Sequence, residues 1–260
     1  MTNAMFSLQG KNALVTGGAQ GLGRMIAEAL LLAGAHVTIT SRKPDIANEA
    51  AASMSALGEC RAIASDLGTP EGAEVLAAAY AADGRGLDIL VNNAGKTWGA
   101  PIEEFPDRAW QGVMAVNVQI PFKLVQLFLP LLARDRAATD PARVINIGSV
   151  AGLRTEDLSA YSYVASKAAI HQLTRQLAAD LAPRRINVNA IVPGYFATSM
   201  TAHLRDETGT ATAEAASHIP LGRFGLPDEI GAAAVFLASR GGAYVTGVLL
   251  PVDGGLSGCR

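Results

Sequence analysis

Seven short apolar runs recur along this chain, and a longer stretch with helical spacing separates each run from the next. The runs are Asn12–Thr16, His36–Thr40, Arg61–Ser65, Leu87–Val91, Arg143–Ile147, Ile186–Ile191 and Val248–Val252. Several are apolar at odd and even positions alike, as strands of a parallel sheet covered on both faces must be. Parallel neighbours cannot be joined by a tight turn and need a crossover, usually a helix. Gly21–Leu32, Asp45–Leu57, Glu71–Ala82, Asp107–Ala133, Ser159–Leu181 and Asp228–Ser239 are long enough and Ala/Leu-rich enough to serve. The alternation runs from end to end without a Pro/Ser-rich linker. It predicts an α/β fold, one doubly wound domain over residues 1–260 with helices on both sheet faces. Asp45 is expected to cap its helix, and Pro121 and Pro130 to kink or end theirs. About thirty residues between Pro193 and Pro227 exceed an ordinary connection and predict a substrate lid over 193–227.

Half of the 260 residues are apolar and 17% are charged, which is a globular composition. The net charge of −2, with no clustered basic stripe, leaves no electrostatic footprint for nucleic acid. Cys60 and Cys259 share no metal-ligand spacing, so neither a metal site nor a disulfide framework is expected, and a reducing compartment is. Met1–Phe6 has no charged and apolar leader pattern, and no uninterrupted apolar run spans a bilayer. A cytoplasmic chain without a membrane partner is the expectation.

The first run leads into Thr16-Gly-Gly-Ala-Gln-Gly-Leu-Gly23 and then a helical pattern. Glycines let backbone approach a pyrophosphate, and the helix start offers free N–H groups to the anion. Gly17, Gln20, Gly21, Leu22 and Gly23 are thus candidate dinucleotide contacts. No Gly-Lys-Ser/Thr follows, so a P-loop is disfavoured. Where an acidic residue would hold the ribose 2′-hydroxyl of NAD, the second run ends in Ser41-Arg42. A guanidinium suits a 2′-phosphate, and NADP(H) is predicted over NAD(H). Asp66, with Leu67 beside it, closes the third run where a carboxylate can accept from an adenine amino group. Asn93, Ala94 and Gly95 follow the fourth, small enough for backbone to pass close to a ribose.

Tyr163 and Lys167 stand four apart in a helical pattern and share a face. A cation beside a phenol is expected to lower its pKa, preparing it as an acid/base. Tyr161 falls on another face. Ser149 ends the fifth run, at the sheet edge where such folds bind ligands. Asn117 sits mid-helix, a poor place for Asn unless it has a task. His171 and His203 show no partners in sequence and read as structural or surface residues.

Taken together, the glycine-rich loop, Asn92-Asn-Ala-Gly95, Asn117, Ser149, Tyr163-x-x-x-Lys167 and Pro193-Gly194 resemble the short-chain dehydrogenase/reductase family over about Leu8 to Gly255. Asn92–Ala100, Pro141–Gly152 and Ala243–Gly247 resemble its 3-oxoacyl-[acyl-carrier-protein] reductase type, most of all the group associated with rhamnolipid synthesis. The resemblance implies a single Rossmann-type domain with a seven-stranded sheet, and a homotetramer. It implies a catalytic tetrad at Asn117, Ser149, Tyr163 and Lys167, with Lys167 also holding the nicotinamide ribose. After Pro193 and Gly194, it gives the Phe196 backbone and the Thr198 hydroxyl to the carboxamide. Gln20 departs from the basic residue many NADPH-using members carry in the loop, which leaves Arg42 as the main support for NADP(H). The expected reaction is hydride transfer between NADP(H) and a carbonyl or secondary alcohol, such as a 3-oxoacyl thioester. Trp98, Val150, Leu153, Leu158, Tyr195 and Met200 are expected to line a pocket for a hydrophobic ketone. The alternatives are an NAD-dependent alcohol, polyol or steroid dehydrogenase, and a catalytically silent nucleotide-sensing module.

Overall fold

A computed structural model describes residues 2–156 and 158–259. Its strands are β1 (Asn12–Val15), β2 (His36–Ser41), β3 (Cys60–Ala64), β4 (Ile89–Asn92), β5 (Ala142–Ile147), β6 (Ile186–Pro193) and β7 (Leu249–Val252). The α-helices are α1 (Thr2–Phe6), α2 (Gly21–Leu32), α3 (Pro44–Met54), α4 (Pro70–Ala81), α5 (Asp107–Met114), α6 (Ile120–Leu132), α7 (Tyr161–Leu181), α8 (Ala213–Ser217) and α9 (Pro227–Ala238). The strands form one seven-stranded sheet in the order β3-β2-β1-β4-β5-β6-β7. Every pairing is parallel. The order reverses between β1 and β4, and ligands of open α/β sheets bind at the carboxyl edge beside such a switch.

The apolar runs are explained by two cores, one on each face. In β1, Ala13 and Val15 face the core under α2 and α9, with Ile26, Leu30, Ile230 and Leu237. Leu14 faces the opposite core under α4, α6 and α7, with Leu76, Leu124, Phe128 and Leu177. β5 repeats the division, Ile145 to one side and Val144 to the other. Each fully buried Leu or Ile contributes about 1.5–3 kcal/mol.

Three local expectations change. α3 begins at Pro44 with Lys43 as its cap, so Asp45 lies in the first turn, where its charge meets the helix dipole. The helix from Asp107 runs through to Leu132, widened into a π-helical segment at Ala115–Gln119 between α5 and α6. Pro121 sits just past the wide turn and Pro130 lies inside α6; neither ends the helix. This Asp107–Leu132 helix is long and apolar enough, by length and composition alone, to cross a membrane. Here its two α-helical parts pack on α4 and α7 within the fold.

Between β6 and α9 the 193–227 excursion contains a 3-10 turn at Ala202–Leu204 and α8. It packs by Ala215, Ile219 and Phe224 on Val150, Val192 and Leu256, a small third core at the carboxyl edge of the sheet.

Candidate active site

The loop from β1 to α2 is shaped for an anion. Gly17 and Gly21 have φ of 63° and 54°, the left-handed region that glycine adopts without strain. A Cβ at Gly23 would lie 2.4 Å from the Gly17 carbonyl oxygen, so only glycine lets the helix start close on the loop. Gln20 caps α2 without a side-chain hydrogen bond, so its first-turn N–H groups remain available to a phosphate. Neighbouring strands hold this cradle. The Gly17 N–H donates to Thr40 Oγ1 at 3.2 Å, and Thr16 Oγ1 accepts the N–H groups of Asn93 and Ala94, each at 2.9 Å. Asn93 Nδ2 donates to the Thr16 carbonyl at 2.8 Å. The Asn93 side chain therefore ties the glycine loop to β4, which its sequence context did not show.

Ser41 ends β2, and Arg42 behind it is exposed, free to meet an anionic group beyond the ribose. Asp66 is exposed and accepts the Gly68 N–H at 2.9 Å. The Leu67 side chain is buried in the core, leaving only its backbone for a ligand. Thr198, past the end of β6, lies 3.6 Å from where a Cβ of Gly21 would stand, so the β6 loop and the glycine loop meet.

At the centre, β5 ends beside α7. Ser149 caps the short turn Val150–Gly152, its Oγ accepting the Ala151 N–H at 3.2 Å. Tyr163 and Lys167 lie one turn apart on α7, with Lys167 Nζ 5.5 Å from the Tyr163 ring centroid. Lys167 is buried and donates to the Ile147 carbonyl at 2.8 Å. Burial pushes its pKa down to about 8. The Tyr163 phenol is raised by burial, and a side-chain hydrogen bond with Ser149 opposes the rise. The expected lowering by the lysine charge is not found: burial dominates, and the opposing contribution comes from Ser149. Tyr161 points away and packs edge-on against Phe105 at 5.3 Å.

Asn117 lies within the π-helical segment and is buried. Its Oδ1 accepts the Lys96 N–H at 2.8 Å. Its Nδ2 donates to the Lys96 carbonyl and to Ser166 Oγ, both at 2.9 Å. Ser166 in turn donates to the Tyr163 carbonyl at 2.7 Å. The amide therefore locks three segments together, while the Asn117 main-chain carbonyl loses its ordinary i+4 donor because residue 121 is proline. A second buried chain, Asn92 Nδ2 to Asn146 Oδ1 and Asn146 Nδ2 to Thr174 Oγ1, both 2.9 Å, ties β4, β5 and α7.

A cavity of about 810 Å³ takes in some of these parts; Asn117 and Lys167 do not line it, and Gln20 and Gly21 line a separate hollow that shares Thr198 with it. Ser149 and Tyr163 line the cavity together with Leu22, Pro193, Gly194, Phe196 and Thr198 from the nucleotide side. Val150, Leu158, Tyr195 and Met200 line it; Trp98 and Leu153 do not. Trp98 turns outward under the Arg108 guanidinium, 5.8 Å from its ring, while its neighbours Thr97 and Gly99 form the wall. Leu153 is 43% exposed, since the turn at Val150–Gly152 directs Val150 inward instead. The wall is also more polar than an apolar pocket: Arg154, Glu156, Glu214, His203 and His218 reach it. Tyr195 donates to Glu156 Oε2 at 2.6 Å, and Arg154 Nε lies 3.1 Å from Glu156 Oε1. His171, unremarkable in sequence, is buried directly behind Ser149. Among the described residues no group of three or more His, Cys, Asp or Glu could hold a metal ion.

The geometry can be set beside known proteins. Residues 17–257 match the family described as Enoyl-(Acyl carrier protein) reductase. The chain is 50% identical to the rhamnolipids biosynthesis 3-oxoacyl-[acyl-carrier-protein] reductase of Pseudomonas aeruginosa, over 96% of this chain and 97% of that one. It is 40% identical to a galactitol 2-dehydrogenase (L-tagatose-forming) of Cereibacter sphaeroides, over 96% of each. The solved Pseudomonas aeruginosa RhlG/NADP active-site complex superposes with a TM-score of 0.94 at 48% identity, covering 98% of this chain and 99% of that one.

Proposed function

The chain belongs to the short-chain dehydrogenase/reductase family, and on that premise we propose that it is an NADP(H)-dependent reductase of 3-oxoacyl thioesters or similar ketones. One observation carries the reading: Ser149 and Tyr163 open into the same cavity as Leu22 of the glycine loop and Pro193, Gly194, Phe196 and Thr198 at and after the end of β6, and Thr198 also lines the adjoining hollow with Gln20 and Gly21. The open α2 N-terminus and the glycines, whose places a Cβ would obstruct, suit the pyrophosphate. Arg42 suits the 2′-phosphate, in keeping with the NADP bound in the Pseudomonas complex. Galactitol 2-dehydrogenase shows that relatives can act on polyols, but Ser41 stands where an NAD site would hold a carboxylate.

The nicotinamide, when bound, supplies the hydride in reduction and accepts it in oxidation. Ser149 and Tyr163 hydrogen-bond the carbonyl oxygen, and Tyr163 delivers the proton to it. Lys167, its charge disfavoured by burial, orients the ribose side and steadies the phenolate that Tyr163 becomes. Asn117 anchors the segment through which the proton is replaced from solvent. Acid/base help of this kind is worth about 10²–10⁴ in rate. The apolar side chains Trp110, Phe122 and Tyr161, exposed on α5, α6 and α7, support self-association through these helices as a homotetramer. The 193–227 segment serves as the lid over the cavity.

The test is NADPH oxidation with a panel of 3-oxoacyl thioesters, cyclic ketones and sugar ketones, repeated with Tyr163→Phe. The variant should retain NADPH binding by fluorescence and lose at least a hundredfold in kcat. Full activity in the variant, or no turnover of any ketone by the wild type, refutes the assignment.

A further inference from the structure

His171 lies one helical turn beyond Lys167 on α7 and is 3% exposed. Its Nε2 accepts the backbone N–H of Ser149, a long contact at 3.4 Å. The ring also fills the space beside both glycines that flank the serine. A Cβ at Gly148 would stand 2.2 Å from His171 Nε2, and one at Gly152 would stand 2.7 Å from His171 Cε1. Neither glycine has a positive φ; at Gly148 the imidazole is the nearest obstacle to a side chain, and at Gly152 it shares that place with the α7 backbone at Lys167 and Ala168, 2.6 and 2.8 Å away. The residues Gly148-Ser149-Val150-Ala151-Gly152 are thus wrapped on the ring, with the carboxyl end of β5 on one side and α7 on the other. Gly148 is further held by its N–H, which donates to the Ile191 carbonyl at 2.8 Å, and the turn closes through Gly152 N–H to the Ser149 carbonyl at 3.0 Å.

We propose that His171 is a positioning residue for Ser149: its imidazole, as an acceptor of the Ser149 N–H and a wedge between Gly148 and Gly152, sets the serine hydroxyl in register with Tyr163. The proposal rests on the reading of Ser149 and Tyr163 as the carbonyl-binding pair. The imidazole must be neutral to accept at Nε2. Burial first, and the charge of Lys167 second, push its pKa down to about 4, so it stays an acceptor throughout the neutral range. An apolar residue of similar volume would keep the packing and lose the acceptor. A residue with an acceptor near the Nε2 position would keep both.

The discriminating experiment compares His171→Phe and His171→Gln in the wild-type and Ser149→Ala backgrounds. His171→Phe should melt within a few degrees of the wild type, bind NADPH with an unchanged Kd and lose ten- to a hundredfold in kcat. His171→Gln should recover to within about threefold of the wild type. In the Ser149→Ala background, His171→Phe should cost less than twofold more, because the hydroxyl it positions is gone. An equal loss in both backgrounds marks a general packing role and overturns the proposal, as does an unchanged kcat in His171→Phe. If the Phe variant fails to fold, His171→Gln decides: near-wild-type kcat supports the acceptor role, and a tenfold loss with intact NADPH binding overturns it. A wild type that reduces no ketone sinks the functional reading instead, and is told apart by that measurement alone.

Discussion

Lys167 keeps 7% of its surface exposed and has burial as the cause of its lowered pKa. An ammonium in such a place costs stability. The folded pKa is about 8 against an ordinary 10.5, so between those values the unfolded chain holds more protons than the folded one. The penalty is therefore complete below pH 8 and is relieved as pH rises towards 10.5. On the linkage scale it is about 3 kcal/mol. Lys167→Met should melt roughly 5 °C above the wild type at pH 7, lose turnover, and show a gap that narrows between pH 8 and 10. Parallel melting curves across that range would mean that the folded and unfolded chains hold the Lys167 proton alike, so that folding does not lower its pKa. This residue, with Tyr163, Ser149 and Asn117, was legible in the sequence, because its spacing is local and its neighbours have characteristic types. Ser166 and His171 were not: Ser166 joins the distant Asn117 amide to the Tyr163 carbonyl, and His171 meets the Ser149 N–H, contacts that sequence does not mark. The direction of the Tyr163 shift was misread for a related reason: sequence shows the lysine four residues away but not the burial that both groups undergo.

At the scale of elements, strands and crossover helices were legible to within a few residues, since two-sided apolar runs and Ala/Leu-rich stretches reflect burial directly. The π-helical segment at Ala115–Gln119 was hidden, although its cause stands in the sequence as Pro121. A proline has no N–H, so the carbonyl of Asn117 loses its α-helical donor, and the helix widens just before it. That carbonyl is then available to accept from water in the proposed proton path. Pro121→Ala restores the donor. The variant should melt at or above the wild-type temperature and bind NADPH normally. Its kcat should fall about tenfold, less than the 10²–10⁴ that a whole acid/base group is worth, since Tyr163 itself is untouched. Unchanged kcat with a restored α-helical pattern of amide exchange would remove the carbonyl from the mechanism.

Across the whole molecule, the cavity is closed by segments distant in sequence. Arg154 and Glu156 come from the β5–α7 connection, Tyr195 from the 193–227 excursion, and Leu256 from the chain end. Arg154 Nη1 donates to the Leu256 carbonyl at 2.8 Å, Arg154 pairs with Glu156, and Tyr195 donates to Glu156. This polar latch was invisible in sequence, where Tyr195 read only as an aromatic pocket wall. Its pKa is raised by burial and by the Glu156 carboxylate, so the phenol stays protonated and donating through the working range. Glu156 keeps only 7% of its side chain exposed, so losing that donor leaves a buried carboxylate oxygen short of a partner. Such a loss costs about 1–3 kcal/mol. Because the latch binds the excursion rather than the nucleotide loop, the cost falls on closure over the ketone. Tyr195→Phe should raise the KM for the ketone about tenfold, leave the NADPH Kd unchanged and speed tryptic cleavage at Arg205, which lies in the loosened segment. If KM and cleavage both stay at wild-type values, the latch does not hold the excursion. The closure would then rest on the apolar contacts of Ala215, Ile219 and Phe224 with Val150 and Leu256.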